Sequence, residues 1–148
     1  MIYWLTGQPG HGKTVLSKML KQHIELNNNT IVFHIDGDDL REILTNKDYS
    51  RQGRENNIKT AHSIARYLDK QGFDVIVSLV SPYRELREEF KSLNNMLEIY
   101  VHTTELRGRE QFHVSEYEAP LDNFVDIDTT NQTPEQSLDN ILNYIYGK

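Results

Sequence analysis

The sequence predicts an α/β fold, a five-stranded parallel sheet flanked by helices on both faces. Three observations carry that prediction. Five short apolar runs rich in β-branched and aromatic residues fall at 2–6, 31–36, 74–80, 97–102 and 124–127. Runs of that length and composition read as buried parallel strands. Segments with apolar residues at helical spacing lie between them, and strands alternating with helices build a parallel sheet covered on both sides. A glycine-rich loop joins the first strand run to the first helical pattern.

Each element has a local reason. Ile2-Tyr3-Trp4-Leu5 is a buried strand, and Val15, Leu16, Met19 and Leu20 recur at helical spacing in a helix over 13–26. Asn27-Asn28-Asn29 is a turn. After the second strand run comes a short helix over 39–45, with Asp38 or Asp39 expected to cap it. A longer helix over 54–71 carries Ile58, Ala61, Ile64, Ala65 and Leu68 on one stripe. Ser81 is expected to cap a helix over 83–94, with Pro82 in its first position. Residues 103–122 are the weakest in pattern. At the end, Thr133-Pro134-Glu135-Gln136 is a capping box, and Leu138, Ile141, Leu142 and Ile145 follow on one face.

A chain of 148 residues implies one domain, 1–148. It contains no cysteine, so disulfides, thiolate metal sites and thiol nucleophiles are excluded. Its histidines show no metal-ligand spacing. The formal net charge of −6 argues against broad binding to a nucleic-acid backbone, which clustered Lys and Arg drive. No apolar run approaches the roughly 18 residues of a membrane span, and a first strand at residue 2 leaves no room for a leader. The expectation is a cytoplasmic protein with small-molecule partners, no nucleic acid and no membrane.

The loop Gly7-Gln8-Pro9-Gly10-His11-Gly12-Lys13-Thr14 fits the phosphate-binding pattern G-x-x-x-x-G-K-[ST] at every fixed position. Such a loop turns backbone N–H groups inward around a polyphosphate, and the following helix adds a favourable dipole. Gly7, Gly10, Gly12, Lys13 and Thr14 are therefore candidate ATP ligands. Lys13 would reach the β- and γ-phosphates and Thr14 would ligate Mg²⁺. His11, at a variable loop position, joins them as a phosphate contact. In an open parallel sheet, ligands bind beyond the carboxyl ends of the strands. Asp36-Gly37-Asp38-Asp39-Leu40-Arg41 follows the second strand run. Asp36, last in that run, can hold Mg²⁺ through water or take a proton from an attacking hydroxyl. Ser81-Pro82-Tyr83-Arg84 follows the third, and capping alone requires neither its tyrosine nor its arginine.

Together these segments resemble the adenylylsulfate kinase (APS kinase) family, which phosphorylates the 3′-hydroxyl of adenosine 5′-phosphosulfate with MgATP. The resemblance runs in order along nearly the whole chain. Besides the phosphate loop, D-G-D-N-x-R matches Asp36, Gly37, Asp38 and Arg41, with Asp39 for Asn. F-S-x-x-D-R-x-E-N-I aligns with Tyr49 to Ile58, where Gly53 replaces Asp and Asn56 replaces Glu. I-S-P-Y-R is Val80 to Arg84, Y-E-x-P is Tyr117 to Pro120, and I-D-T is Ile127 to Thr129. The resemblance implies the P-loop kinase fold, with ATP and Mg²⁺ as cofactors. It makes Lys13, Asp36 and Ser81 the catalytic candidates, with Ser81 beside the transferring phosphoryl group. Arg41, Arg54 and Asn57 would hold the acceptor's phosphosulfate end. Tyr49 would stack on its base. Asp38, Pro82 and Tyr83 complete the acceptor side. A homodimer is implied by the resemblance alone.

One departure matters. The family has a long basic lid with a K-G-L-Y segment before Y-E-x-P. Here the lid is short, about 104–117, and that segment is missing. Arg107 matches the lid's entry arginine and joins the ATP side. Phe112 is the candidate for a second stacking aromatic. A lid excludes water and completes a site, so its shortening leaves three readings open. The chain is a minimal APS kinase, a kinase of another nucleotide-like acceptor such as a nucleoside diphosphate derivative, or an ATP-binding module without turnover. The intact Lys13, Thr14, Asp36 and Ser81 argue against the last.

Overall fold

A computed structural model describes residues 1–147. Its sheet has five parallel strands: β1 (Ile2–Thr6), β2 (Val32–Asp36), β3 (Asp74–Ser78), β4 (Met96–His102) and β5 (Val125–Asp128). They lie in the order β2-β3-β1-β4-β5. The order reverses at β1, where the phosphate loop leaves the sheet, so the site opens at a topological switch point. The helices are α1 (Lys13–Asn28), α2 (Gly37–Leu44), α3 (Arg51–Lys70), α4 (Arg84–Leu93) and α5 (Pro134–Tyr146).

Side chains alternate across β1 and split the core in two. Ile2 and Trp4 face Ile58, Ala61 and Ala65 of α3 and Phe90 of α4. Tyr3 and Leu5 face Leu16, Leu20 and Ile24 of α1 and Ile141 of α5. Both faces of β1 are buried, which is why its sequence is continuously apolar rather than alternating. Thr133 and Gln136 form the expected capping box ahead of Pro134. Among the described residues, no helix is long and apolar enough to cross a membrane.

Four local expectations are corrected. Helix α2 begins at Gly37, so Asp36 takes the N-cap position, while Asp38 and Asp39 sit in the first turn. Helix α4 begins at Arg84 with Tyr83 at its N-cap, so Ser81 caps nothing and Pro82 lies outside the helix. The third strand ends at Ser78 rather than residue 80, because the chain turns there toward the sheet's carboxyl end. Thr6 Oγ1 fixes that turn by donating to the Val80 carbonyl at 2.7 Å. Helix α3 starts at Arg51, earlier than its apolar stripe shows, with Ser50 as its N-cap.

Candidate active site

The phosphate loop runs from β1 into α1, and its shape depends on residues without side chains. A Cβ on Gly7 would collide with the backbone oxygen of Val101, and Gly12 stands at φ 103 as the N-cap of α1. Lys13 curls back so that Nζ donates to the Gln8 carbonyl at 2.8 Å. Burial lowers its pKa, and although Asp38 and Asp36 pull the other way, it comes to about 8. This poised, poorly hydrated ammonium is suited to meeting phosphate oxygens.

Asp36 faces the loop from the end of β2. Its Oδ1 accepts from Thr14 Oγ1 and from Ser78 Oγ, both at 2.8 Å. Burial opposes its ionisation, but the Ser78 and Thr14 hydroxyls outweigh that and hold the carboxyl below its ordinary range. An ionised carboxylate beside a threonine hydroxyl is an all-oxygen donor pair. That fits Mg²⁺, which takes one or two protein oxygens and fills its shell with phosphate and water. Among the described residues no group of three His, Asp or Glu gathers into a metal cage.

One cavity of about 770 Å³ joins these groups to most of the acceptor candidates. Arg41, Tyr49, Arg54, Asn57, Ser81 and Phe112 line it, together with Asp38 and Pro82. Arg41 lies 4.1 Å from the centre of the Tyr49 ring, which is exposed. Asn57 is buried, and its Oδ1 has no hydrogen-bond partner. A buried polar atom without a partner is uncommon, and beside a cavity it points to a ligand. Ser81 sits at φ 45, a strained value for serine, and its Oγ accepts from Trp4 Nε1 at 3.1 Å. Arg87 holds the strained residue from below, donating to the Ser81 carbonyl at 2.6 Å.

Tyr83 is the exception. It is 1% exposed, does not line the cavity, and packs under the Arg51 guanidinium at 4.1 Å. The ring belongs to the core beside α3, and its hydroxyl is buried without a hydrogen-bond partner. On the other side of the phosphate loop a smaller cavity of about 280 Å³ is lined by His11, Gly12, Arg107, Thr129 and Pro134 among others. His11 is buried there, and burial, reinforced by His113, Lys13 and Arg107, lowers its pKa to about 4. It is neutral at physiological pH. Arg107 donates to the backbone oxygens of His11 and Thr129.

Two contributors escaped the sequence reading. Gln8 clamps the lid: its Nε2 donates to the Val114 carbonyl at 2.9 Å, and its Oε1 accepts from Val114 N at 2.8 Å. Arg109 lies against Gly10, lines the larger cavity, and stands 5.1 Å from the Phe112 ring centre. The pattern marks Gln8 as a variable loop position, and Arg109 lies in the least patterned stretch, so neither carried a signal. The lid itself holds a single turn of 3₁₀ helix, Glu110–Phe112.

A family model for adenylylsulphate kinase matches residues 1–137. The chain belongs to the adenylylsulphate kinase family. A cytidine diphosphoramidate kinase of Campylobacter jejuni is 34% identical over 142 residues, covering 93% of this chain and 83% of that protein. An adenylyl-sulfate kinase of Oceanobacillus iheyensis is 28% identical over 169 residues, covering 99% of this chain and 84% of that one. A solved APS kinase of Mycobacterium tuberculosis, in complex with AMPPNP and APS, superposes with a TM-score of 0.84 at 18% identity. It covers 98% of this chain and 96% of that one, a likeness of fold. The protein is a nucleotide kinase that transfers phosphate to a hydroxyl group.

Proposed function

We propose that this kinase moves the γ-phosphoryl group of ATP to a ribose hydroxyl of a nucleotide whose 5′ end is a capped diphosphate. Cytidine diphosphoramidate, the compound in the Campylobacter relative's name, is the leading acceptor. What supports this choice is the 34% identity with that relative over 93% of this chain, together with a short lid that brings Phe112 to the acceptor cavity.

The smaller cavity, with Arg107, takes the ATP base side, and the triphosphate lies along the loop to Lys13. Thr14 and Asp36 would hold Mg²⁺, which supplies charge neutralisation at the β- and γ-oxygens. Asp36, kept ionised, orients the acceptor hydroxyl; a loose transition state asks little of a base. Tyr49 and Phe112 take the acceptor base, while Arg41, Arg54 and Asn57 take its 5′ group. Lys13 and the loop amides stabilise charge on the transferring group.

Adenosine 5′-phosphosulfate is the second reading, supported by the family model and by most of the ordered segments, Asp36 to Arg41 above all. ADP release from MgATP, measured with each acceptor against a no-acceptor control, tests both. Turnover with the cytidine compound well above that with the phosphosulfate is expected. The reverse preference would make the protein a minimal APS kinase. Binding of ATP without turnover of either would overturn the acceptor class.

A further inference from the structure

The Arg54 guanidinium is already paired. Its Nη1 donates to Oε1 of Glu116, a lid residue, at 2.6 Å. Arg54 also lines the acceptor cavity, so the guanidinium expected to meet an acceptor's anionic end already holds a carboxylate from just beyond the cavity lining. The Glu116 side chain is half exposed, but the backbone that carries it is held. The lid is tied on one side of it by the two Gln8–Val114 bonds and on the other by Glu118 N donating to the Pro82 carbonyl at 2.9 Å. Tyr117 OH, next in the chain, is 2.8 Å from Thr6 Oγ1. Ser115 Oγ donates to the second Glu116 oxygen at 3.0 Å.

Resting on the proposed acceptor class, we infer that Glu116 is a charge filter for the acceptor's 5′ group. Neither the capped diphosphate of the cytidine compound nor the phosphosulfate of the second reading has a free terminal phosphate. An uncapped diphosphate gains a further negative charge when its terminal phosphate ionises near pH ~6. Arg54 alone would favour the more negative end. With Glu116 beside it the pair is neutral, and the added charge meets a fixed carboxylate. The filter matters because the reaction releases ADP, an uncapped nucleotide with a free ribose hydroxyl. Without it the enzyme would take its own product as acceptor.

The test compares Glu116→Gln and Glu116→Ala with wild type in the full chain. The readouts are kcat/KM for cytidine diphosphoramidate, adenosine 5′-phosphosulfate, CDP and ADP, and the Kd of CDP and CMP by calorimetry. Both variants should raise the uncapped-to-capped ratio about tenfold, the worth of one partly screened charge a few ångströms away. Their affinity for CDP should rise more than that for CMP. Equal changes for capped and uncapped acceptors, or an unchanged ratio, would overturn the filter and leave the acceptor class standing. Absence of turnover with any acceptor would overturn the acceptor class, and the CDP and CMP affinities would still decide the filter.

Discussion

Replacing Arg87 by Met removes the cation at the base of the site and gives a test worked from the geometry. The side chains of Arg87 and Glu98 are both 0% exposed and meet at 2.7 Å. Arg87 also donates to the carbonyls of Ser81 and Glu118. Breaking one partner of a fully buried pair costs about 3–5 kcal/mol, a large share of the ~5–15 kcal/mol that holds a domain. Lys91 Nζ, 2.7 Å from Glu98 Oε1, keeps the carboxylate from being wholly orphaned, which places the loss at the lower end. Urea unfolding followed by Trp4, the single tryptophan and fully buried, reads it directly. The double variant Arg87→Met/Glu98→Leu should recover about half of the loss or more, because apolar residues commonly replace a buried pair without penalty. Its kinase activity should stay low, since Ser81 and Glu118 still lack their anchor. A single variant within about 1 kcal/mol of wild type would refute the reasoning.

Other outcomes follow from the same structure. Lys13→Ala should abolish turnover, and retained activity would remove Lys13 from the phosphate site. The Kd for MgATP should rise above pH 8. There the free site's Lys13 loses the proton that phosphate needs, so binding must take one up. The affinity should fall by up to about tenfold per pH unit, and a flat profile from neutral pH upward would contradict the assignment. Arg54→Ala should raise the acceptor KM far more than that for ATP, whereas equal losses would place Arg54 elsewhere.

The fold was legible because its signals are local. β1 is buried on both faces and reads as an unbroken apolar run, and Thr133 with Pro134 announces α5. Helix α3 was read short at its start, since its first turn carries polar residues and only the Ser50 cap marks it. Ser81-Pro82 looked like a cap because the motif is right for one; its real partners, Trp4 and Arg87, are distant in sequence or buried. The candidate site was legible where strand ends meet a known pattern, as at Lys13 and Asp36. It was not legible where a side chain acts through tertiary contact. Tyr83 shares a motif with Ser81 but turns into the core, while Gln8, Arg109 and Glu116 find their partners only because the lid folds back on the phosphate loop and α3. Gly53 shows the same limit. A Cβ there would collide with Asp48, so the family's aspartate could not stand at this position without moving the loop before α3.

The central claim is that the short-lidded cavity takes a capped nucleoside diphosphate. The most direct measurement is acceptor-dependent ADP release from MgATP with cytidine diphosphoramidate and adenosine 5′-phosphosulfate side by side. The account predicts turnover that requires an acceptor and a higher kcat/KM for the cytidine compound. Preference for the phosphosulfate, or ADP release indifferent to both, would contradict it.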